Sequence, residues 1–514
     1  LSEASASYLE NVPTLRYEQK LEDFDSLVSY IKQVSPIVHY NYQVRNIDFF
    51  KETTELRKSI TPECSQAEFL IILQKVINLA QDGHTSIVPP YLADLVKDIW
   101  IPQGIEVYGY DSTAFEYIKD YNSFLDETFN TNLELEIIYS KGKYFNLLPF
   151  SFDNKEYPAN MELIKCNGHK VQNLIKEMHE FISPVKWDFR NNIEYHHNFY
   201  KSSALYKNDS IKLSFLTSKG EKFDLMFSKL DSVKFLENKK RNIGSYNTNS
   251  SVFRSQYLDT LKAFYARIPS MQVEYADSLL NNFSRIKATN NIEDIIIDIR
   301  GNGGGDDYTY MRFLSKILKD TLKVDFVLGR NFSPINREYY SLNRDTIKNR
   351  EEYTFDIDLK SKLDSLEMFY INIPGYPYII PDKNQYDFNG NIYILQDRNI
   401  FSSSSNLSNL ASSTNRLISV GETPDLLGGQ QTITMILCLP NSKFLFRIEP
   451  QIDFSNTTNR KDIFQNNVDY FVPYTIDYLY KKATTEDDIF GEYFLVNNDP
   501  MIKKVLDLKG IKND

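Results

Sequence analysis

The chain has 514 residues, 42% of them hydrophobic and 14% aromatic, which is enough to bury more than one core and suggests about three domains. Its formal net charge of −11, with Lys239-Lys240-Arg241 the one conspicuous basic run, argues against nucleic acid or an anionic membrane as the main partner. Six scattered histidines without a His-Glu-x-x-His pattern argue against a metal enzyme, and Cys64, Cys166 and Cys438 lie too far apart for zinc or a disulfide framework and read as buried thiols. No apolar run is long enough to span a bilayer, so the chain reads as soluble.

Leu21, Phe24, Leu27, Val28 and Ile31 recur at helical spacing until Pro36 stops the pattern. Ser65-Gln66-Ala67-Glu68 is a capping box, and Phe69, Leu70, Leu73, Val76 and Ile77 continue it as a helix that Asp82-Gly83 breaks, which puts His84 on a loop just past a packed helix. From about Ile105 to Leu230 the composition turns strand-like, with alternation at Leu133 to Tyr139 and Ile211 to Phe215. Between these, Met161 to Cys166 reads as a strand, Asn167-Gly168 as a turn and Val171 to Met178 as a helix. Residues 231–254 are polar and read as a linker.

Leu261 to Ser270 opens a second apolar region, and Ala276 to Ile286 follows at helical spacing. Asp294 to Arg300 is then a β-branched run that ends in Gly301-Asn302-Gly303-Gly304-Gly305, with a helical pattern from Tyr308 to Leu318 behind it. Glycines at such a turn permit positive φ and close backbone approach, while the first helix amides stay free to bind an anion. The turn lacks the Gly-Lys-Ser/Thr ending of a phosphate loop and the glycine spacing of a dinucleotide fold, so an oxyanion fits better. A tight turn with no chemistry is the alternative. Residues 320–388 form a long insert rich in Tyr, Asp and Pro, read as a cover over a cleft or as a decoration packed elsewhere. Asn391 to Leu395 is a further buried strand, and Ser402 to Ser413 is helix-compatible through Leu407, Leu410 and Ala411.

Asp-Ile-Arg-Gly-Asn-Gly-Gly-Gly at 298–305 resembles the signature of the C-terminal processing (tail-specific) serine peptidases and their tricorn-core relatives. Gln81-Asp82-Gly83-His84-Thr85, Ile400-Phe401-Ser402-Ser403-Ser404-Ser405 and the Val-Gly-Glu-x-Thr-like Arg416 to Thr423 are similar to that family's other motifs, in family order. The resemblance runs from about residue 20 to the C-terminus. It implies a multidomain α/β protein with a crotonase-like (ClpP/crotonase) ββα core. It divides the chain into a helical N-terminal domain at 1–100 carrying the His loop, a PDZ-like α+β module at 101–232, a linker at 233–255 and a catalytic core at 256–514 with the insert 320–388.

The resemblance further implies hydrolysis of peptide bonds in protein or peptide substrates, near their C-terminal ends, without metal or cofactor. Ser402 is then the nucleophile at a strand-to-helix turn, and the amides of Gly304, Gly305 and Ser403 receive the oxyanion. Many relatives pair serine with a lysine after the Gly-Glu-x-Thr segment, but no lysine occurs from Ser403 to Ser442, which leaves His84 as the base. Its orienting acid is expected near Asn467 to Tyr474, where Asp469 has the charge and Asn467 the motif position; if the segment is a strand, the two point the same way about 6.6 Å apart. Glu449, on an earlier strand, is a third candidate. Ser405 stands where relatives commonly carry Glu, a departure that keeps open a non-catalytic peptide or chain-end binder on the same fold. The resemblance also implies export to the periplasm, cell envelope or medium, with any signal or membrane tether carried by a segment ahead of Leu1-Ser2-Glu3; oligomeric state is not legible.

Overall fold

The structure, a computed structural model, describes residues 7–229, 231–238, 252–341, 368–424, 434–457, 459–465 and 468–511. Helix α1 (Tyr17–Val34) buries Leu27, Ile31 and Val34 completely, as its spacing requires. Helix α2 (Gln66–Leu79) starts at the Ser65/Glu68 capping box, in which Ser65 Oγ accepts from the Glu68 amide at 3.2 Å and Glu68 Oε2 accepts from the Ser65 amide at 2.8 Å. Helix α3 (Ala114–Phe129) packs Tyr121 and Phe124 into the same core as Leu27, Leu70 and Leu73. That core is completed by Leu437, Phe446 and Ile448, from far along the chain.

The next unit is an antiparallel sheet in the order β5-β4-β3-β2-β1, formed by β1 (Ile137–Ser140), β2 (Lys143–Asn146), β3 (Glu162–Cys166), β4 (Ser210–Leu216) and β5 (Lys222–Ser228). After β3 the chain turns through Asn167 at φ 49° and Gly168 at φ 84° into the five-residue helix α4 (Val171–Ile175). Leu135, Leu163, Ile175, Leu213 and Phe215 share its core.

The third unit is a six-stranded sheet. Its members, in chain order, begin with β6 (Arg254–Leu258), β7 (Ala263–Arg267), helix α5 (Glu274–Lys287), β8 (Asp294–Asp298) and helix α6 (Tyr308–Ile317). Strands β9 (Leu322–Asn331) and β10 (Met368–Ile379) pair with each other outside that sheet, and β11 (Ile392–Gln396), helix α7 (Ser403–Ser412) and β12 (Leu417–Gly421) return to it. Strands β13 (Met435–Cys438) and β14 (Leu445–Ile448) leave for the N-terminal core, while β15 (Gln451–Asp453) pairs with β9. Strand β16 (Tyr470–Phe471) closes the sheet, followed by α8 (Ile476–Thr484), α9 (Glu492–Asn498) and α10 (Pro500–Leu508).

The strand order is β6-β7-β8-β11-β12-β16, with β6 antiparallel and the other pairings parallel. Parallel strands covered on both faces need apolar residues at every position, which is why 294–298 reads as a continuous β-branched run. Ile295 and Ile297 face Phe283, Phe313 and Leu407 of α5, α6 and α7. Ile296 faces Leu479, Leu495 and Ile502 of α8, α9 and α10. The turns that follow β8 and β11 therefore emerge at one edge of a doubly covered sheet.

The cores divide differently from the sequence boundaries. The division at residue 100 falls too early, because α3 belongs to the N-terminal core; its Ala114, Ile118, Tyr121 and Phe124 spacing lies within a stretch whose composition suggests strands. The stretch 256–514 is not one unit either, since β13 and β14 join the N-terminal helices. Within the expected linker 233–255, Lys234–Phe235 pairs with Phe150–Ser151 and Arg254 begins β6, while residues 239–251 lie outside the described residues. Of the insert 320–388, β9 and β10 are described and 342–367 are not.

Because Phe446 is fully buried between α1 and α2, Phe446→Ala is expected to cost about 3–5 kcal/mol in chemical denaturation. Hydrogen exchange should show amides of α2 losing protection before those of β8; equal loss in both would mean that the two cores unfold as one.

Candidate active site

Two turns meet at the edge of the sheet. In the first, after β8, Gly304 has φ 97°, and a Cβ there would lie 2.6 Å from Ser402 Cβ and 2.7 Å from the Phe401 carbonyl oxygen. Only glycine permits that approach. The turn is fixed from all sides: Asn302 Nδ2 donates to Ile268 O at 2.9 Å, the Phe401 amide donates to Asn302 O at 3.0 Å, and the Gly301 amide donates to Asp397 Oδ1 at 3.0 Å. Beneath it, buried Arg300 bridges Asp298 at 2.6 Å and Asp499 at 2.5 Å, and against burial, which raises it, Arg300 and then Arg267 hold the Asp298 carboxyl well below the usual carboxylate range.

In the second turn Ser402 has φ 54° and ψ −126°, a strained conformation for a residue with a side chain, and it precedes α7 as the N-cap. Its hydroxyl is half-buried, whereas Ser403, Ser404 and Ser405 are buried. Ser403 Oγ donates to Asp307 Oδ1 at 2.5 Å, and Ser404 Oγ and Ser405 Oγ have no hydrogen-bond partner among the described residues. Of the four serines, Ser402 is the one that is not buried.

The oxyanion donors need one correction. The Gly304 amide is spent inside the turn, donating to Asn302 Oδ1 at 2.8 Å. The amides of Gly305 and Ser403 have no acceptor among the described residues, Ser403 because it opens a helix. Gly304 contributes by closeness, and the two free donors flank it.

His84 arrives from the other side of the cleft. Asp82 organises its loop: Oδ1 accepts from the His84 amide at 3.0 Å and Oδ2 from Thr85 Oγ1 at 2.8 Å. Strand Ser86–Ile87 then pairs antiparallel with β14, Ser86 opposite Arg447 and Ile87 opposite Phe446. The pairing continues as the Glu449 amide donates to Thr85 Oγ1 at 3.3 Å, so Glu449 Oε2 faces His84 Nδ1 at 3.6 Å. Glu449 Oε1 accepts from the Gln451 amide at 3.2 Å, while Oε2 makes no hydrogen bond. The His84 ring packs 4.5 Å from the ring of Phe401, next to Ser402.

Burial, then the nearby Arg447, hold the His84 imidazole well below its ordinary value, which keeps it neutral and able to accept a proton. Burial, then Asp82, push the Glu449 carboxyl up. The two groups face each other across 3.6 Å.

Asp469 is elsewhere. Its Oδ2 accepts from the Ser419 amide at 2.7 Å and from Ser419 Oγ at 2.8 Å, a staple between β12 and the segment before β16. Both bonds fix it to the sheet, and among the described residues it makes no contact with His84. Asn467 lies outside the described residues. Asp82, Thr85 and Asp307 were not singled out from the sequence, although Asp82 and Thr85 flank His84 in its motif and Asp307 opens α6.

The loop before Ser402 also touches the antiparallel unit. Arg398 Nε donates to Glu422 Oε2 at 2.9 Å, its guanidinium lies 5.0 Å over the ring of Tyr139, and Lys186 Nζ donates to the Arg398 carbonyl at 3.2 Å. Among the described residues no group of His, Cys, Asp and Glu could hold a metal ion, and no helix is long and apolar enough to cross a membrane.

Residues 262–464 match Peptidase family S41. In fold the chain is similar to mature CPAF, with a TM-score of 0.55 and 12% identity over 95% of this chain and 98% of that one. It is equally similar to mature CPAF complexed with lactacystin, at TM-score 0.55 and 14% identity over 96% and 99%. A third match, the photosystem II D1 C-terminal processing protease, has 12% identity over 91% and 98% and a TM-score of 0.38. No curated protein matches the chain in sequence.

Gly304→Ala forces a Cβ into Ser402 at a φ that side chains rarely adopt. It is expected to slow labelling of Ser402 by a fluorophosphonate at least about tenfold, with the far-ultraviolet circular dichroism unchanged. Labelling at the wild-type rate would mean that the two turns do not need this approach.

Proposed function

We propose, from the match of residues 262–464 to Peptidase family S41, that the chain is a serine endopeptidase working through Ser402, His84 and Glu449. The observation that carries this reading is the alignment of Glu449 Oε2 with His84 Nδ1 at 3.6 Å while the same imidazole packs on Phe401, beside the strained turn of Ser402. Nδ1 faces the carboxylate, which leaves Nε2 for the serine. Ser402 Oγ attacks the scissile carbonyl carbon and gives its proton to Nε2. The carbonyl oxygen becomes an oxyanion and takes hydrogen bonds from the Gly305 and Ser403 amides. The imidazolium, stabilised by Glu449, returns the proton to the leaving amine as the carbon–nitrogen bond breaks. Water then repeats the sequence on the acyl-enzyme and frees Ser402. Loss of one oxyanion donor typically costs about 3 kcal/mol.

Within this reading, the strand-turn-helix units of the core are crotonase-like, and the antiparallel unit is a PDZ-like module that receives substrate chain ends. A cavity of about 250 Å3 between β2, β3 and α4 is lined by Lys143, Lys165, Lys170 and Glu162, and although Glu162 pairs with Lys143 at 2.8 Å, Lys165 and Lys170 support a site for a terminal carboxylate. Export, as the family resemblance implies, completes the reading. No observation favours the chain-end binder without catalysis.

Four outcomes are expected. Ser402→Ala should abolish peptide hydrolysis while the protein stays folded. Glu449→Gln should lower kcat/KM about 10²- to 10⁴-fold, whereas Asp469→Asn should leave it within about threefold; the reverse ranking would return the orienting role to Asp469. The pH profile adds a sign. Burial and then Arg447 lower the imidazole, so a base that must be neutral stays active to lower pH, and the acid limb should lie below that of an ordinary imidazole; a limb at or above it would contradict His84 as the base. Lastly, amidating the C-terminus of a cleaved peptide should raise its KM; equal use of acid and amide forms would leave the module as a brace.

A further inference from the structure

A second cavity, of about 240 Å3, runs along the face of α7 that carries Asn406, Asn409 and Leu410. One end adjoins the nucleophile turn, because Asp307, which lines it, accepts the 2.5 Å hydrogen bond from Ser403 Oγ, and Ser403 supplies an oxyanion amide. Another wall is Gln451, whose amide donates to Glu449 Oε1 at 3.2 Å. A peptide whose scissile carbonyl sits on the Ser403 amide therefore has the side chain of that same residue next to the cavity mouth.

The lining divides by chemistry. Met311, Val324, Phe326 and Leu328 are apolar, and Asp307 and Asp453 bring two carboxyl groups. Every partner of those carboxyls is a neutral donor. Asp307 accepts from Ser403, Asn406 at 3.1 Å and Tyr378 at 3.5 Å; Asp453 accepts from Asn409 at 2.7 Å and the Ser455 amide at 2.8 Å. Neither carboxyl has an ion-pair partner among the described residues, and burial pushes both upward, with Asp306 adding to the rise at Asp307. Arg330, on the neighbouring strand, is engaged with Gln451 Oε1 at 2.8 Å and with the ring of Tyr340 at 3.9 Å. Asp307 and Asp453 are half-buried, and a carboxylate drawn partly out of water without a cation is costly, so a cation brought by a ligand is selected against every neutral alternative. Long basic side chains suit such a lining because their methylene stems pack on apolar walls while the charge reaches a polar group.

We propose that this cavity is the subsite for the substrate residue bearing the scissile carbonyl and that it selects Lys or Arg there. The proposal rests on the reading of Ser402 as the nucleophile. Peptides that differ at that one residue, Lys, Arg, norleucine or Glu, with both termini blocked, test it. Lys and Arg are expected to exceed norleucine in kcat/KM at least about tenfold, and Asp453→Asn to reduce the Lys-to-norleucine ratio about tenfold. Asp307→Asn serves the same ratio test should the first variant fail to fold. The affinity of Ser402→Ala protein for the same peptides gives the ratio without turnover. Ratios near one in both turnover and affinity would overturn the subsite and leave the catalytic reading intact. A preference for Lys in affinity from a wild-type protein that hydrolyses nothing would support the subsite and overturn the catalytic reading instead.

Discussion

The imidazole of His84 and the carboxylate of Glu449 are held together by a very short piece of sheet. Ser86–Ile87 pairs with Phe446–Arg447, and the Glu449 amide extends that pairing to Thr85 Oγ1. Two residues of strand would not stay ordered alone. Here α2 and β14 contribute to one hydrophobic core, with Leu70, Leu73, Phe446 and Ile448 fully buried, so the pairing inherits its register from packing that continues well beyond it. The register matters because a slip of one residue would turn Glu449 to the opposite face. The participation of β13 and β14 in the N-terminal core is thus the constraint that unites His84, from the start of the chain, with Glu449, from near its end.

The Ser402 turn depends on a second constraint, the contact of Gly304 with Phe401 and Ser402. Parallel strands β8 and β11 are direct neighbours, so the turns that follow them leave the sheet side by side. The glycines let the first turn press against the second, and Asn302 ties them with its carbonyl to the Phe401 amide and its side chain to Ile268 O. A consequence is that the Gly304 amide turns inward to Asn302 Oδ1, leaving Gly305 and Ser403 as the outward donors. Preorganised amides of this kind need no rearrangement when negative charge develops beside them.

Charge is buried in quantity around both turns. The Asp298–Arg300–Asp499 and Arg398–Glu422 groups are satisfied by multiple hydrogen bonds, which makes them rigid supports in a region of low dielectric. Arg398 also reaches Tyr139, and Lys186 reaches the Arg398 carbonyl, so the antiparallel unit touches the loop that delivers Ser402. Against these satisfied groups, Asp307 and Asp453 stand out as half-buried carboxyls whose partners among the described residues are all neutral.

Much of this was legible in the sequence because it is local. The capping box at Ser65 and Glu68 marks the start of α2, the β-branched run ending in glycines marks β8 and its turn, and Ser402 and His84 stand in short motifs whose residues are neighbours in the chain. Short-range periodicity and turn chemistry require nothing beyond adjacent residues. What the tertiary structure alone decided is every relation across long separations. Asp469 and Glu449 are both acids near strands, and nothing in their surroundings along the chain tells which one meets His84; pairing between residues 86 and 447 brings Glu449 there, while Ser419 holds Asp469 to the sheet. The domain boundaries follow the same rule, since no local signal could tell that β13 and β14 pack against α1 and α2. The approach of Gly304 to Phe401 and Ser402 was equally beyond reach, because it joins two turns that lie far apart in the chain.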